Sequence, residues 1–172
     1  IWVAATATYT ERLTAKKRVA VYGGFNGTEG SRGLRNWTTN ITTIDGQLLG
    51  TVVTVPFGCF GSTAFDGFKI QNGKAVAGTG NAGGGVYCYS ASLTIANCTF
   101  RNDQATNGAG VYMDYSPSIF TGNAFTNCIA TSNGGGIYAA RSSQTISGNQ
   151  FTSNTASTGA GIYLTECSSA LT

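Results

Sequence analysis

Four copies of Gly-x-Gly-Val/Ile-Tyr divide the second half of the chain at a fixed period, which restricts the fold more than any other feature. They begin at Gly83, Gly108, Gly134 and Gly159, so successive starts lie 25, 26 and 25 residues apart. In each complete copy a Phe stands 17 residues after the first Gly (Phe100, Phe125, Phe151), and Ile95, Phe120 or Ile146 precedes it by five. Short β-prone runs broken by Gly and Asn at such a period mean one supersecondary unit per copy, stacked so that neighbours bury a shared core. No helical spacing competes with this reading.

One copy reads as one coil of a β-solenoid. Alternation along the strand turns Val86, Val111, Ile137 and Ile162 inward with Cys88, Met113, Ala139 and Leu164, and turns Tyr87, Tyr112, Tyr138 and Tyr163 outward. Ile95 and Phe100 are five residues apart, which would put them on opposite faces of one continuous strand, so a bend separates them. Asn97, Gly122 and Gly148 mark that bend, being residue types that accept positive φ. Upstream, Ile44-Asp45-Gly46 and Phe65-Asp66-Gly67 read as the same apolar-x-Gly step, with Ile70 in the place of the Phe. The expectation is an all-β solenoid forming a single domain over residues 1–172, with degenerate coils and longer loops over 1–82 and regular coils over 83–172. Roughly seven coils at a ~4.8 Å strand spacing give a rod of about 30 to 35 Å.

Composition fits a turn-rich solenoid, with 25 Gly but only 2 Pro, and 41% hydrophobic residues supply a narrow continuous core. A net charge of +3 is modest for this length and argues for neither nucleic acid nor an anionic membrane as partner. No apolar run approaches the length of a membrane-spanning helix. Of the five Cys, Cys88, Cys98, Cys128 and Cys167 take four different positions of the repeat, so they read first as small buried hydrophobes, with one disulfide as the alternative. Without His or a CxxC pair, zinc is dismissed.

Chemistry-bearing residues are few. Glycoside hydrolysis needs two carboxyl groups about 5 to 9.5 Å apart, and the chain has only Glu11, Glu29, Asp45, Asp66, Asp103, Asp114 and Glu166. Taken as equivalent positions of adjacent coils, Asp45 and Asp66 stack, and three readings stay open: solvated turn residues on splayed loops, a weak Ca²⁺ site shared with backbone carbonyls, or a catalytic dyad. Lys69 and Arg101 are the bases a β-elimination lyase would draw on beside Asp66. The outward column Tyr87, Tyr112, Tyr138 and Tyr163 is the feature most open to binding a glycan or another protein, set against a ladder that only stabilises the sheet.

Other motifs carry less. Gly78-Thr79-Gly80-Asn81-Ala82-Gly83 matches GxGxxG but leads into a strand, whereas a dinucleotide loop must open a helix. The basic segment Arg12 to Arg18 reads as a solvated turn rather than a site for acidic polysaccharide or phosphate. The sequons at Asn26, Asn36, Asn40 and Asn97 are close to the number that chance supplies. No column of Thr suits an ice-binding face.

The Gly-Gly-Gly-Val/Ile steps alternate with Phe120-Thr121-Gly122-Asn123, Phe151-Thr152-Ser153-Asn154 and the variant Phe100-Arg101-Asn102-Asp103, a pattern that resembles the repeats of bacterial polymorphic outer-membrane proteins. Tyr22-Gly23-Gly24-Phe25-Asn26-Gly27-Thr28-Glu29, followed by Arg32, Arg35 and Asn36-Trp37, resembles a segment that opens many bacterial surface proteins of the right-handed parallel β-helix class. The resemblance implies a right-handed parallel β-helix, export to the cell surface or medium, and an adhesive, spacer or fibre-forming role with glycans or cell-surface proteins as partners. Polysaccharide lyases and hydrolases share that architecture and form the alternative. With no capping segment evident at Ile1 or Thr172, continuation of the rod or head-to-tail self-association is expected.

Overall fold

The structure, a computed structural model, describes residues 1–172. The chain winds through three long parallel sheets, each strand pairing with its counterpart one coil away, and a fourth, two-stranded sheet pairs Gln104–Asn107 with Ile129–Asn133 between the second and third faces. The first face holds Trp2–Ala4, Ala20–Phe25, Ala64–Asp66, Thr94–Ala96, Ile119–Thr121, Thr145–Ser147 and Ala170–Leu171. The second holds Thr8–Tyr9, Thr42–Asp45, Phe68–Gln71, Thr99–Arg101, Ala124–Thr126 and Gln150–Thr152. Leu13–Thr14, Val53–Val55, Val86–Tyr89, Val111–Asp114, Ile137–Ala140 and Ile162–Thr165 form the third. Six coils are therefore complete and Ala170–Leu171 opens a seventh, in accord with the count expected from the repeat.

Corners are sharp because each spends one residue in the left-handed region, where Asn and Gly are cheapest. Between the first and second faces these residues are Gly67, Asn97, Gly122 and Gly148, with φ of 80°, 52°, 63° and 60°. After the second face they are Asn72, Asn102, Asn127 and Ser153, with φ of 53°, 57°, 55° and 54°. Two successive corners thus use the same apolar-x-αL step, and this misleads the alignment of the early coils. Phe65 does pair with Ile95 on the first face, but Ile44 pairs with Ile70 and Asp45 with Gln71 on the second. Asp45 and Asp66 are accordingly not equivalent positions and do not stack.

The interior is a set of columns. Phe100, Phe125 and Phe151 stack with ring centroids 4.6 and 5.0 Å apart and planes within 7° of parallel, and Ile70, Ile44 and Tyr9 continue the column toward the N-terminus. Gly110 makes room for it: a Cβ there would lie 2.6 Å from the Gly136 carbonyl oxygen and 2.7 Å from Phe125 Cδ1. Val86, Val111 and Ile137 on the third face are completely buried, as are Cys88, Met113 and Ala139. The coil bordered by Ile1 and Trp2 leaves an apolar concavity lined by Val3, Leu13, Val21, Phe65 and Phe68.

Inside two of the corners an amide ladder replaces apolar packing. Asn123 Oδ1 accepts the Cys98 N–H at 2.9 Å while Nδ2 donates to the Ile95 carbonyl at 3.0 Å. Asn149 treats the Asn123 N–H and the Phe120 carbonyl in the same way, at 2.9 Å each. At the next corner Asn154 repeats it on the Cys128 N–H and the Phe125 carbonyl, at 2.9 and 3.0 Å. Each side chain satisfies one donor and one acceptor that the bend takes out of the sheet ladder. All five cysteines are free thiols, and burial pushes Cys88 up to about 11 and Cys98 up to about 12, which suits inert core residues.

Replacing Phe125 with Ala removes the middle ring of the Phe column and leaves a cavity between two rings that cannot close up. The expected cost is about 3 to 5 kcal/mol, read as a lowered midpoint in denaturant unfolding, and an unchanged midpoint would remove the column from the account of stability.

Candidate functional site

The Tyr column lies on the outer surface of the third face, as alternation requires. Tyr87, Tyr112, Tyr138 and Tyr163 stack with centroids 5.4, 5.0 and 5.4 Å apart and planes 3°, 7° and 15° from parallel. Tyr112 and Tyr138 therefore spend both ring faces on their neighbours, and Tyr87 and Tyr163 one face each, so that the column turns mainly edges and hydroxyls to solvent. A pyranose packs on a ring face, so a stack closed in this way offers little of what sugar stacking uses. Burial pushes the phenols of Tyr87, Tyr112 and Tyr138 above the usual range, and the Asp114 carboxylate adds to the effect. These hydroxyls stay protonated across the physiological range and serve as neutral hydrogen-bonding groups.

Beside the column runs a charged cluster that inspection of the sequence misses. Asp114 ends its strand only 3% exposed, paired through Oδ2 with the Arg141 guanidinium. Arg141 also lies over the Tyr115 ring, 4.6 Å from its centroid, and Tyr115 meets Tyr89 edge-on at 6.2 Å. Asp114 pairs in register with Ala140, so Arg141 sits one residue past the partner position in the next coil. The repeat period contains that signal, but it becomes legible only once the third-face register is fixed.

The remaining acidic groups are dispersed. Asp45 accepts hydrogen bonds from the Gln47 N–H at 2.8 Å, from Gln71 Nε2 at 2.7 Å and from Asn72 Nδ2 at 2.9 Å. Burial alone would raise its carboxyl, but these donors and the Lys69 charge outweigh burial and hold it below the usual range. Asp66, on a different face, is paired with Arg35 at 2.8 Å and accepts from Asn97 Nδ2 at 2.9 Å. A Ca²⁺ site shared by Asp45 and Asp66, or a dyad of the two, would need both on one rung, and the register separates them. Arg101 pairs with Gln71 on the second face, away from Asp66. No three His, Cys, Asp or Glu side chains cluster with metal-binding geometry.

A cleft is formed instead by the arm between Phe25 and Thr42, which folds back over the corner joining the first and second faces. The Glu29 carboxylate accepts the N–H groups of Asn26, Gly27 and Thr28 at 2.8, 3.0 and 3.1 Å, so these donors hold it below the usual range. Arg35 pins the arm to the rod. Its guanidinium lies 5.3 Å from the Tyr22 ring centroid and 4.6 Å from that of Trp37, and it donates to the Gly23 and Asp66 carbonyls while pairing with the Asp66 carboxylate. Beneath the arm, about 350 Å³ is lined by Trp37, Ile41, Lys69, Asn97, Thr99 and Ala124 among others. Lys69 is its only charged lining residue. The sequence offered Lys69 as a lyase base and Trp37 as part of a resemblance, but their convergence depends on an arm whose path has no periodic signature.

These parallel coils define a β-solenoid with one arm-covered cleft and one aromatic ladder. The family model described as the right handed beta helix region matches residues 60–172, well over half of the chain, and the chain belongs to that family. Comparison with curated proteins and with solved structures finds no significant match. The fold is thus a right-handed parallel β-helix, an architecture that serves both structural and carbohydrate-active proteins.

Two outcomes test this geometry. Replacing Tyr112 and Tyr138 together with Ser breaks all three ring stacks and should lower stability by at least about 1.5 kcal/mol in denaturant unfolding, given 0.5 to 1.5 kcal/mol per aromatic pair; unchanged stability would show that the ladder holds nothing. Replacing Arg35 with Ala should expose the arm to limited proteolysis between residues 26 and 41 while the solenoid keeps its β-sheet circular dichroism, and an arm as resistant as the parent's would remove Arg35 from its anchoring role.

Proposed function

We propose that this β-helix is a non-catalytic element of an extracellular or cell-surface protein, a rigid rod that spaces and presents an adhesive surface. The observation that carries the reading is the dispersal of the carboxylates: Asp45 is saturated by amide donors, Asp66 is paired with Arg35, Asp114 is paired with Arg141, and Glu29 closes a turn of the arm. Acid–base cleavage of a glycosidic bond requires two carboxyl groups facing one groove. The repeats that resemble those of bacterial polymorphic outer-membrane proteins support placement at a bacterial surface, where a rod stacking with further coils would act as a spacer.

The cleft beneath the arm favours one addition. Trp37, Lys69, Asn97 and Thr99 bring an aromatic ring, a cation and small hydrogen-bonding groups to one concave surface, a combination suited to carbohydrate. The adhesive contact is assigned to this cleft rather than to the Tyr ladder, and the competing reading, a polysaccharide-active enzyme, would use the same surface.

Incubation of the purified chain with neutral and acidic polysaccharides separates the two. Retention in affinity electrophoresis, weakened by Trp37→Ala and Lys69→Ala, without release of reducing ends or unsaturated products, is the expected result. Turnover that disappears on replacing one acidic residue, such as Asp66→Asn, would overturn the non-catalytic reading.

A further inference from the structure

Asp103 occupies a corner position at which Asn154, in its own column, and Asn123 and Asn149, in the column of the preceding corner, place an amide. It follows the second-face strand by the same offset as Asn154 two coils later and stands in the same column as Gly73 and Cys128. Its Oδ1 accepts the Gly73 N–H at 2.7 Å, just as Asn154 Oδ1 accepts the Cys128 N–H. The difference lies at the second oxygen. Asn123, Asn149 and Asn154 each turn Nδ2 to the carbonyl three residues before the N–H they cap. For Asp103 that carbonyl belongs to Ile70. Asp103 Oδ2, completely buried, has no hydrogen-bond partner, and a carboxylate oxygen can only repel a carbonyl. A Cβ on Gly85 would lie 2.9 Å from the same oxygen, so the backbone seals it from water.

We propose that Asp103 is a neutral carboxylic acid in the folded rod, standing in for the ladder Asn by donating its Oδ2 proton toward the Ile70 carbonyl, and that it forms a pH-sensitive latch at this coil. The latch matters because the same place anchors the longest connection between the second and third faces. Gly73 is gripped by Asp103 Oδ1, the Gln104 N–H reaches the Gly73 carbonyl at 2.8 Å, and Lys74 and Ala82 flank the loop with isolated bridges to Gln104 and Asn107. Loss of the proton leaves a buried anion facing a carbonyl, and the coil can relieve it only by opening where the loop is attached.

The surroundings offer no compensating cation. The Cys128 thiol in the next coil stays protonated because burial pushes it up. Asp45, two coils toward the N-terminus, adds like charge, whereas Arg101, just before Asp103 in the chain, and Lys74, which bridges to Gln104, have exposed side chains. Burial is also the largest influence on Asp103 itself and raises its carboxyl well above the usual range. A raised folded pKa sets the sign: the contribution to stability is complete below the unfolded value of about 3.9 and is lost as pH rises toward the folded value.

Comparison of the parent with Asp103→Asn over pH tests the latch, because the amide keeps the Oδ1 bond and supplies a permanent donor. The ratio of the two folding constants should shift in favour of Asp103→Asn by up to about tenfold per pH unit within that window, and the protection of residues 74–82 against hydrogen exchange, taken relative to the intrinsic rate at each pH, should fall with pH in the parent alone. A ratio independent of pH, or a variant less stable throughout, would overturn the proposal. Titration of the Asp103 carboxyl carbon by NMR in the unaltered chain decides the matter even if the variant folds poorly: a protonated shift at neutral pH is expected, and an ionised one would sink the idea.

Discussion

Parallel register between successive coils is the constraint on which every other feature depends. Each coil must return its strands to within about 4.8 Å of their counterparts, so corner residues, interior volumes and outward side chains repeat at the same positions. The left-handed residues at Gly67, Asn97, Gly122 and Gly148 allow the turn, and the Asn ladder supplies hydrogen bonds to the backbone groups that the turn strands. Stacked Phe and Tyr columns follow from the same repetition, because identical positions one coil apart bring rings into face-to-face contact without further adjustment.

What the sequence made legible was this repetition where it is regular. The inward and outward assignments of Val111, Tyr112 and Met113 and the bend before each Phe rest on local alternation and a constant period, and the structure agrees with them. The early coils were less legible for a definite reason. Two corners five residues apart share the apolar-x-αL step, so Ile44-Asp45-Gly46 matched the wrong one, and the pairing of Asp45 with Asp66 fell with it. Here a periodic signal was ambiguous within its own period.

The candidate site was harder still. Trp37 and Lys69 meet only because Arg35 ties an aperiodic arm to the rod, and nothing in the spacing of these residues announces the contact. Asp114 and Arg141 are separated by a coil and one step, which is visible only after the register is known. Asp103 presents the opposite case. Its departure from the Asn of the Phe-x-x-Asn step is plain in the sequence, yet it acquires meaning only when the buried, unpartnered oxygen is seen beside three amides that solve the same problem.

The direction of the hydrogen bonds has a mechanical consequence. Strands lie across the axis of the rod, so the bonds between coils run along it and a pull on the two ends loads them one coil after another rather than all at once. Such a body resists bending and lateral shear through its stacked columns but yields to axial tension by peeling a single coil at a time. Under tension it would lengthen in steps of one repeat, each step releasing 25 or 26 residues of slack in the regular half of the chain.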